Sequence, residues 1–136
     1  MIIVLDTNVF LVSISKKSKY RPIFDGILNK KYSLLISNEI LTEYEEVITN
    51  RASPLVAHNV LEMLVTRSNV KKTEVYYRWN LIDVDKDDNK FADCAVAGNA
   101  DFIVSDDKHF KSLVTREFPN IPLLDADRFI QKLDLS

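Results

Sequence analysis

The chain opens on an unbroken apolar run that ends in three polar residues. Ile2 to Leu5 all favour strands, and Asp6, Thr7 and Asn8 follow them directly. A continuous apolar run of this length is typical of a strand buried on both faces, as in the centre of a parallel sheet. Because ligands bind beyond the carboxyl ends of such strands, Asp6 is either a functional acid or the N-cap of the next helix.

Strands and helices alternate along the rest of the chain. Apolar runs predict two more buried strands, Tyr32–Ile36 and Phe102–Val104, and an edge strand at Ile121–Leu124, which contains a proline. A further short strand is predicted within Trp79–Val84. Apolar residues three and four apart predict helices, which begin near Val9, Pro22, Asn38, Pro54, Asp88 and Asp125. This alternation predicts a parallel sheet with helices on both faces.

The composition narrows the class of protein. A chain of 136 residues with 46% apolar residues predicts a single domain that spans the whole chain. The single cysteine, Cys94, excludes an internal disulfide and fits a reducing cytoplasm, and no apolar run predicts a signal peptide or a membrane span. A net charge of −2 counts against a passive nucleic-acid-binding module. It does not count against an enzyme that meets phosphates through a metal ion.

Acids follow two of the predicted strands. Asp106 and Asp107 come after Phe102–Val104 in the way that Asp6 comes after the first strand. The carboxyl ends of parallel strands meet at one edge of a sheet, so these acids are expected to form a negative cleft. Like charges held close together are unfavourable unless a cation or a proton offsets them. A hard divalent cation, Mg²⁺ or Mn²⁺, is expected to offset these charges, because carboxylate oxygens select such ions.

One acid of the polar segment before the fifth helix faces inward by helical phase. Phe91 and Ala95 lie on the buried face of this helix, and Asp88 lies on the same meridian, before that face begins. Asp87 is rotated from Asp88 by about 100° and leans away, and Asp93 leans away as well. Asp88 is therefore predicted to point into the protein, where it either joins the site or caps the helix.

One predicted helix carries four glutamates. Glu39 and Glu46 fall far from the apolar stripe, which centres near Tyr44, whereas Glu43 and Glu45 border it on opposite sides. Glu43 is nearer the strand-end side of the helix, so we favour it for the site.

The two histidines and the basic loop at residues 16–21 have plainer interpretations. His58 and His109 have no partner at the spacing of zinc ligands, so both are interpreted as surface or core residues. The lysines and the arginine of the loop are candidates for phosphate contacts, with a solvated loop as the alternative.

Four motifs in order give the chain a family resemblance. They cover nearly its whole length and stand at Val4–Asn8, Ser37–Tyr44, Asp87–Ala95 and Ala100–Asp107. Together they resemble the PIN-domain proteins described as toxins of toxin–antitoxin pairs. The resemblance implies a three-layer α/β/α fold with a central, mainly parallel sheet. It also implies a metal-dependent ribonuclease, often a homodimer bound by an antitoxin.

The resemblance extends to individual site residues. The four acids of the family match Asp6, Glu43, Asp88 and Asp107. The match implies that these acids are catalytic and hold Mg²⁺ or Mn²⁺, with Asn8 and Ser105 orienting ligands and water around them. Two adjacent acids, Asp87 and Asp106, stay open as alternatives one residue away.

The residue types suit the hydrolysis of RNA phosphodiesters. Carboxylates hold Mg²⁺ while leaving coordination positions for water and phosphate, and such an ion makes water nucleophilic near neutral pH. No Ser/His/Asp or Cys/His set is evident, so a covalent route is not indicated.

Three other classes of protein compete with this interpretation. A haloacid-dehalogenase-type phosphatase needs a second acid where Asn8 stands, and a response-regulator receiver needs an acid pair where the first strand ends in Asp6 alone. A catalytically inactive PIN scaffold that binds RNA or a protein partner stays open as well. The four intact acids count against this inactive scaffold. Metal-dependent cleavage of RNA would distinguish the ribonuclease from the scaffold.

Overall fold

The computed structural model describes residues 1–82, 88–115 and 119–135, which build a five-stranded sheet covered by helices. The strands are all parallel and stand in the order β3-β2-β1-β4-β5. Their bounds are β1 Ile2–Leu5, β2 Ser33–Ile36, β3 Val70–Lys72, β4 Phe102–Val104 and β5 Leu123–Leu124. The three-layer α/β/α architecture with a parallel sheet is therefore confirmed.

Six α-helices and one 3₁₀ helix are described. The α-helices are α1 Thr7–Ser13, α2 Arg21–Leu28, α3 Asn38–Arg51, α4 Pro54–Thr66, α5 Asn89–Ala97 and α6 Ala126–Asp134. The 3₁₀ helix spans Lys108–Thr115. Four helices begin at side chains that accept a hydrogen bond from a backbone N–H of the first turn, namely Asp6, Ser37, Ser53 and Asp125. Among the described residues, no helix is both long enough and apolar enough to cross a bilayer.

The central strand β1 explains the apolar run at the start of the chain. It pairs with β2 on one side and β4 on the other, and the side chains of Ile3, Val4 and Leu5 are fully buried. Asp6 continues the pairing, since its N–H donates to the carbonyl of Val104 over 3.1 Å. The prediction that β1, β2 and β4 are neighbouring parallel strands with acids at one edge is confirmed.

The predicted strand at Trp79–Val84 is wrong for its described part, because residues 79–82 form no strand and residues 83–84 lie outside the described residues. Ile82 is buried in a loop instead, and the Asn89 amide side chain accepts from its N–H at 2.8 Å and donates to its carbonyl at 3.0 Å. The remaining strand of the sheet, β3, was not predicted, and among the described residues it pairs only with β2. It went unpredicted because two of its three residues are exposed lysines.

Tyr44 fixes α3 against the end of β1. It is fully buried, its hydroxyl donates to the carbonyl of Leu5 over 2.5 Å, and its ring stacks on Phe10 at 4.3 Å between centroids. Because Leu5 precedes Asp6 and Tyr44 follows Glu43, this contact brings both acids to the same edge of the sheet.

A methyl group at Gly98 should destabilise the fold. A Cβ there would lie 2.1 Å from Cδ2 and 2.8 Å from Cδ1 of Leu35, a buried residue of β2. Gly98→Ala is expected to cost about 1–3 kcal/mol, because a packed core resists added volume. Chemical denaturation measures this loss, and Ala97→Ser at the exposed neighbouring position should stay within about 0.5 kcal/mol. Equal stability of the Gly98 variant and the parent would contradict the packing of α5 on β2.

Candidate active site

Asp6 stands where β1 meets α1 and uses its two oxygens differently. Oδ1 accepts from the N–H of Val9 over 2.8 Å and so caps α1. Oδ2 accepts from the hydroxyl of Ser105, at the end of β4. The residue is only 5% exposed. The sequence left two roles open for Asp6, that of a helix cap and that of a functional acid. In this geometry Oδ1 caps the helix, and Oδ2 is the oxygen that remains for the site.

The surroundings of Asp6 disfavour its negative charge. The pKa of this carboxyl group is raised to about 6, above all by burial. The hydrogen bonds from Ser105 and Val9 lower the pKa and the charges of Asp106 and Asp107 raise it, and the value of about 6 includes these effects. A bound cation would offset this cost, because it favours the ionised carboxylate.

Asp88, Asp107 and His109 form a cluster beside this acid. Their ligand atoms all lie within 4.8 Å of one another. Nδ1 of His109 is 3.3 Å from Oδ1 of Asp107 and 3.7 Å from Oδ2 of Asp88. Asp88 precedes α5 but makes no capping hydrogen bond with its side chain. The helix-cap alternative is therefore not what the structure shows for Asp88.

Ser105 joins the two strand ends and helps to separate the paired acids. Its hydroxyl donates to Asp6 and accepts from the N–H of Asp107 over 2.9 Å. The neighbouring acid, Asp106, is exposed, and its Oδ1 accepts from the N–H of Ala126 at the start of α6 over 3.0 Å. Of the two adjacent acids, Asp107 is the one in the cluster. The alternative Asp87 lies outside the described residues.

Glu43 is bound by two other residues. Its Oε2 accepts from the hydroxyl of Thr7, and its Oε1 lies 2.6 Å from Nζ of Lys90. Among the residues that the structure describes, the groups of three ligand atoms within 4.8 Å include neither Glu43 nor Asp6. The four predicted acids thus share one edge of the sheet, and Asp88 and Asp107 are the two of them that belong to the three-residue cluster of described ligand atoms.

The acids predicted to lie outside the site are found in contacts of their own. Glu39 pairs with Arg78 at 2.7 Å between Oε1 and Nη2. Asp93 accepts from the N–H of Trp79 over 2.9 Å, and burial raises its pKa. Glu46 is exposed. Asp93 is buried, however, so its helical phase does not point it at solvent.

Three residues of the site were not predicted. They are His109, Lys90 and Thr7. His109 was interpreted as a surface or core residue, and Lys90 and Thr7 were not singled out. Asn8 was predicted to orient ligands and water. Asn8 is exposed, whereas its neighbour Thr7 is buried and contacts Glu43. The signal for His109 was its position two residues after Asp107 at the start of a helix, where the His109 N–H donates to Oδ1 of that acid over 2.9 Å.

Comparisons with known proteins agree on one fold. A family model for the PIN domain matches residues 2–109. No curated protein matches the chain. Three solved structures are similar at 17–21% identity, and each alignment covers 92–93% of this chain and at least 98% of the other chain.

These three structures are a VapBC2 from Rickettsia felis bound to a DNA fragment from its promoter, a VapBC-1 from nontypeable Haemophilus influenzae, and a DNA-bound VapBC from Salmonella typhimurium. Their TM-scores are 0.64, 0.61 and 0.59. At these identities the likeness shows a shared fold.

Proposed function

The chain belongs to the PIN-domain family, and on this premise we propose that it is a metal-dependent endoribonuclease. The observation that carries the proposal is the cluster of Asp88, Asp107 and His109, whose ligand atoms lie within 4.8 Å of one another beside the buried Asp6. Crowded acids at the carboxyl ends of parallel strands fit a cation-dependent hydrolysis of phosphodiesters.

The donor set fits a divalent ion. Two carboxylates suit Mg²⁺ or Mn²⁺, and an imidazole nitrogen suits a transition-metal ion better than it suits Mg²⁺. Nδ1 of His109 is buried and makes no hydrogen bond with any described residue, so it is available as a ligand. Asp88, Asp107 and His109 would hold the ion, with Asp6 beside them. The imidazole nitrogen in this set of ligands favours Mn²⁺ over Mg²⁺. Such an ion, when bound, makes a coordinated water nucleophilic and relieves charge on the phosphate.

The residues of the chain position the reacting groups. Ser105 holds Asp6 and the backbone of Asp107 at fixed positions through its single hydroxyl group. Thr7 and Lys90 hold Glu43 through its two oxygens. These contacts fix the carboxylates before substrate arrives, which is the preorganisation that catalysis by charged groups requires.

Cleavage of single-stranded RNA tests the proposal. Purified chain, free of any partner protein, should cleave RNA with Mn²⁺ or Mg²⁺ and not with Ca²⁺ or a chelator, because Ca²⁺ accepts more ligands and a looser geometry. Gel analysis of end-labelled RNA measures the products. Well-folded protein that cleaves no RNA with any of these ions would favour the inactive-scaffold alternative.

We also propose that the chain is the toxin of a toxin–antitoxin pair and that it acts as a homodimer, bound by an antitoxin in its resting state. The proposal is supported by the family and by the VapBC structures of similar fold. Light scattering of the purified chain tests the dimer.

His109 should contribute to ion binding. His109→Ala is expected to weaken Mn²⁺ binding by roughly tenfold or more, since it removes one ligand of a small set. Isothermal titration calorimetry measures the dissociation constant. His58→Ala is the matched control, because His58 is exposed and pairs with Glu62 on α4. Equal Mn²⁺ affinity in both variants would remove His109 from the site.

A further inference from the structure

Lys90 and Glu43 form an ion pair within the candidate site. Nζ of Lys90 lies 2.6 Å from Oε1 of Glu43, and the two side chains are 14% and 25% exposed. The other oxygen of Glu43 accepts from the hydroxyl of Thr7. Both oxygens of this carboxylate are thus engaged by groups of the protein itself, which come from α1 and α5.

Glu43 and Lys90 are not members of the ligand cluster that the described residues form. The cluster is built from Asp88, Asp107 and His109, and Glu43 is not part of it. A divalent ion bound to Oε1 of Glu43 would stand within a few ångströms of the ammonium group of Lys90. Like charges this close disfavour each other strongly in a half-buried site. An ion could be held by Glu43 only if Lys90 left it.

We infer that Lys90 is the permanent counter-ion of Glu43 and keeps this carboxylate out of the ion's coordination shell. The site then takes one divalent ion, held by the cluster of Asp88, Asp107 and His109. Lys90 is a positioning residue in this account, because it acts through Glu43. The inference rests on the proposed function, and it replaces the family-based expectation that Glu43 is a metal ligand.

A charge-conserving double variant tests the inference. Lys90→Met combined with Glu43→Gln removes the ion pair without changing the net charge, and the glutamine carbonyl can still accept from Thr7. Mn²⁺ is titrated into purified chain without RNA, with calorimetry for affinity and electron paramagnetic resonance for stoichiometry. Parent and double variant should each bind one Mn²⁺ per chain, with dissociation constants within about threefold of each other. Asp107→Asn should weaken binding at least about 30-fold, because it removes a ligand.

The single variant Lys90→Met reports on the counter-ion directly. It releases Glu43 from its partner, so the chain should bind a second Mn²⁺ or bind the first at least about tenfold more tightly. Lys90→Arg keeps the positive charge and should behave as the parent does. Circular dichroism and thermal unfolding establish that each variant is folded before titration.

Three results would overturn the inference. These are two Mn²⁺ ions per parent chain, a double variant that loses Mn²⁺ as strongly as Asp107→Asn, and unchanged Mn²⁺ binding in Lys90→Met. A parent chain that binds no Mn²⁺ would overturn the proposed function together with this inference. A parent chain that binds Mn²⁺ and cleaves RNA, but uses Glu43 as a ligand, would overturn the inference alone.

Discussion

Asp107→Asn should reduce RNA cleavage by roughly 1,000-fold or more, a loss of about 4 kcal/mol in transition-state stabilisation. Asp107 lies in the ligand cluster, with Oδ1 3.3 Å from Nδ1 of His109. The asparagine amide has the same shape, and its oxygen can still accept from the N–H of His109. The variant should therefore keep its fold and lose a charge that the reaction needs. Initial rates on a labelled RNA, with Mn²⁺ in excess, measure the effect.

The neighbouring acid supplies the matched control for this experiment. Asp106 is exposed and accepts from the N–H of Ala126 at α6, a contact that asparagine also makes. Asp106→Asn should keep cleavage within about tenfold of the parent rate, because this acid is outside the ligand cluster and acts on the site through its charge on Asp6. If Asp106→Asn loses activity and Asp107→Asn keeps it, the assignment of the two acids is reversed.

Asp6→Asn should make the metal-free protein more stable while it abolishes cleavage. The folded pKa of Asp6 is about 6 and its ordinary value is 3.8. A carboxyl group with a raised folded pKa favours the protonated form. The stability it contributes is full below pH 4 and is lost as the pH rises through 6. At neutral pH the buried charge costs up to about 3 kcal/mol, which asparagine removes while it still caps α1.

The measurement is thermal unfolding in chelator across pH 4 to 8. The parent should lose stability over this range, and Asp6→Asn should lose less, so that its Tm at neutral pH is higher by roughly 3–10 °C. Stabilisation by added Mn²⁺ should be weaker in the variant than in the parent. Asp125→Asn serves as the control, because Asp125 also caps a helix but is about half exposed. A less stable Asp6 variant with the pH dependence of the parent would show that the acid acts as a cap alone.

The central sheet was predictable from the sequence because burial on both faces leaves a strong pattern. β1 pairs on both sides, and its apolar run is unbroken up to Asp6. The same logic located the acids, since an acid directly after a buried strand can lie only at the carboxyl edge of the sheet. The edge strand β3 carries no such signal, because Lys71 and Lys72 are exposed and, within the described part of the chain, β3 pairs on one side only.

The details of the site depend on contacts between residues far apart in the sequence. Glu43 is held by Thr7, 36 residues away, and by Lys90, 47 residues away. Helical phase can select the inward-facing acid on one helix, but it cannot identify a partner on another helix. His109 depends on the local turn after β4, which brings its ring to Asp107 and Asp88. No spacing rule for zinc ligands describes that arrangement.

Diffraction from crystals grown with Mn²⁺ would show where the ion binds, because anomalous scattering locates the ion without reference to any assumed ligand. We expect one anomalous peak per chain, within coordination distance of Asp88, Asp107 and His109 and beside Asp6, with the Glu43–Lys90 pair intact. A saturated crystal with no peak at the carboxyl ends of β1 and β4, or with peaks only elsewhere, would contradict the proposed site and the function built on it.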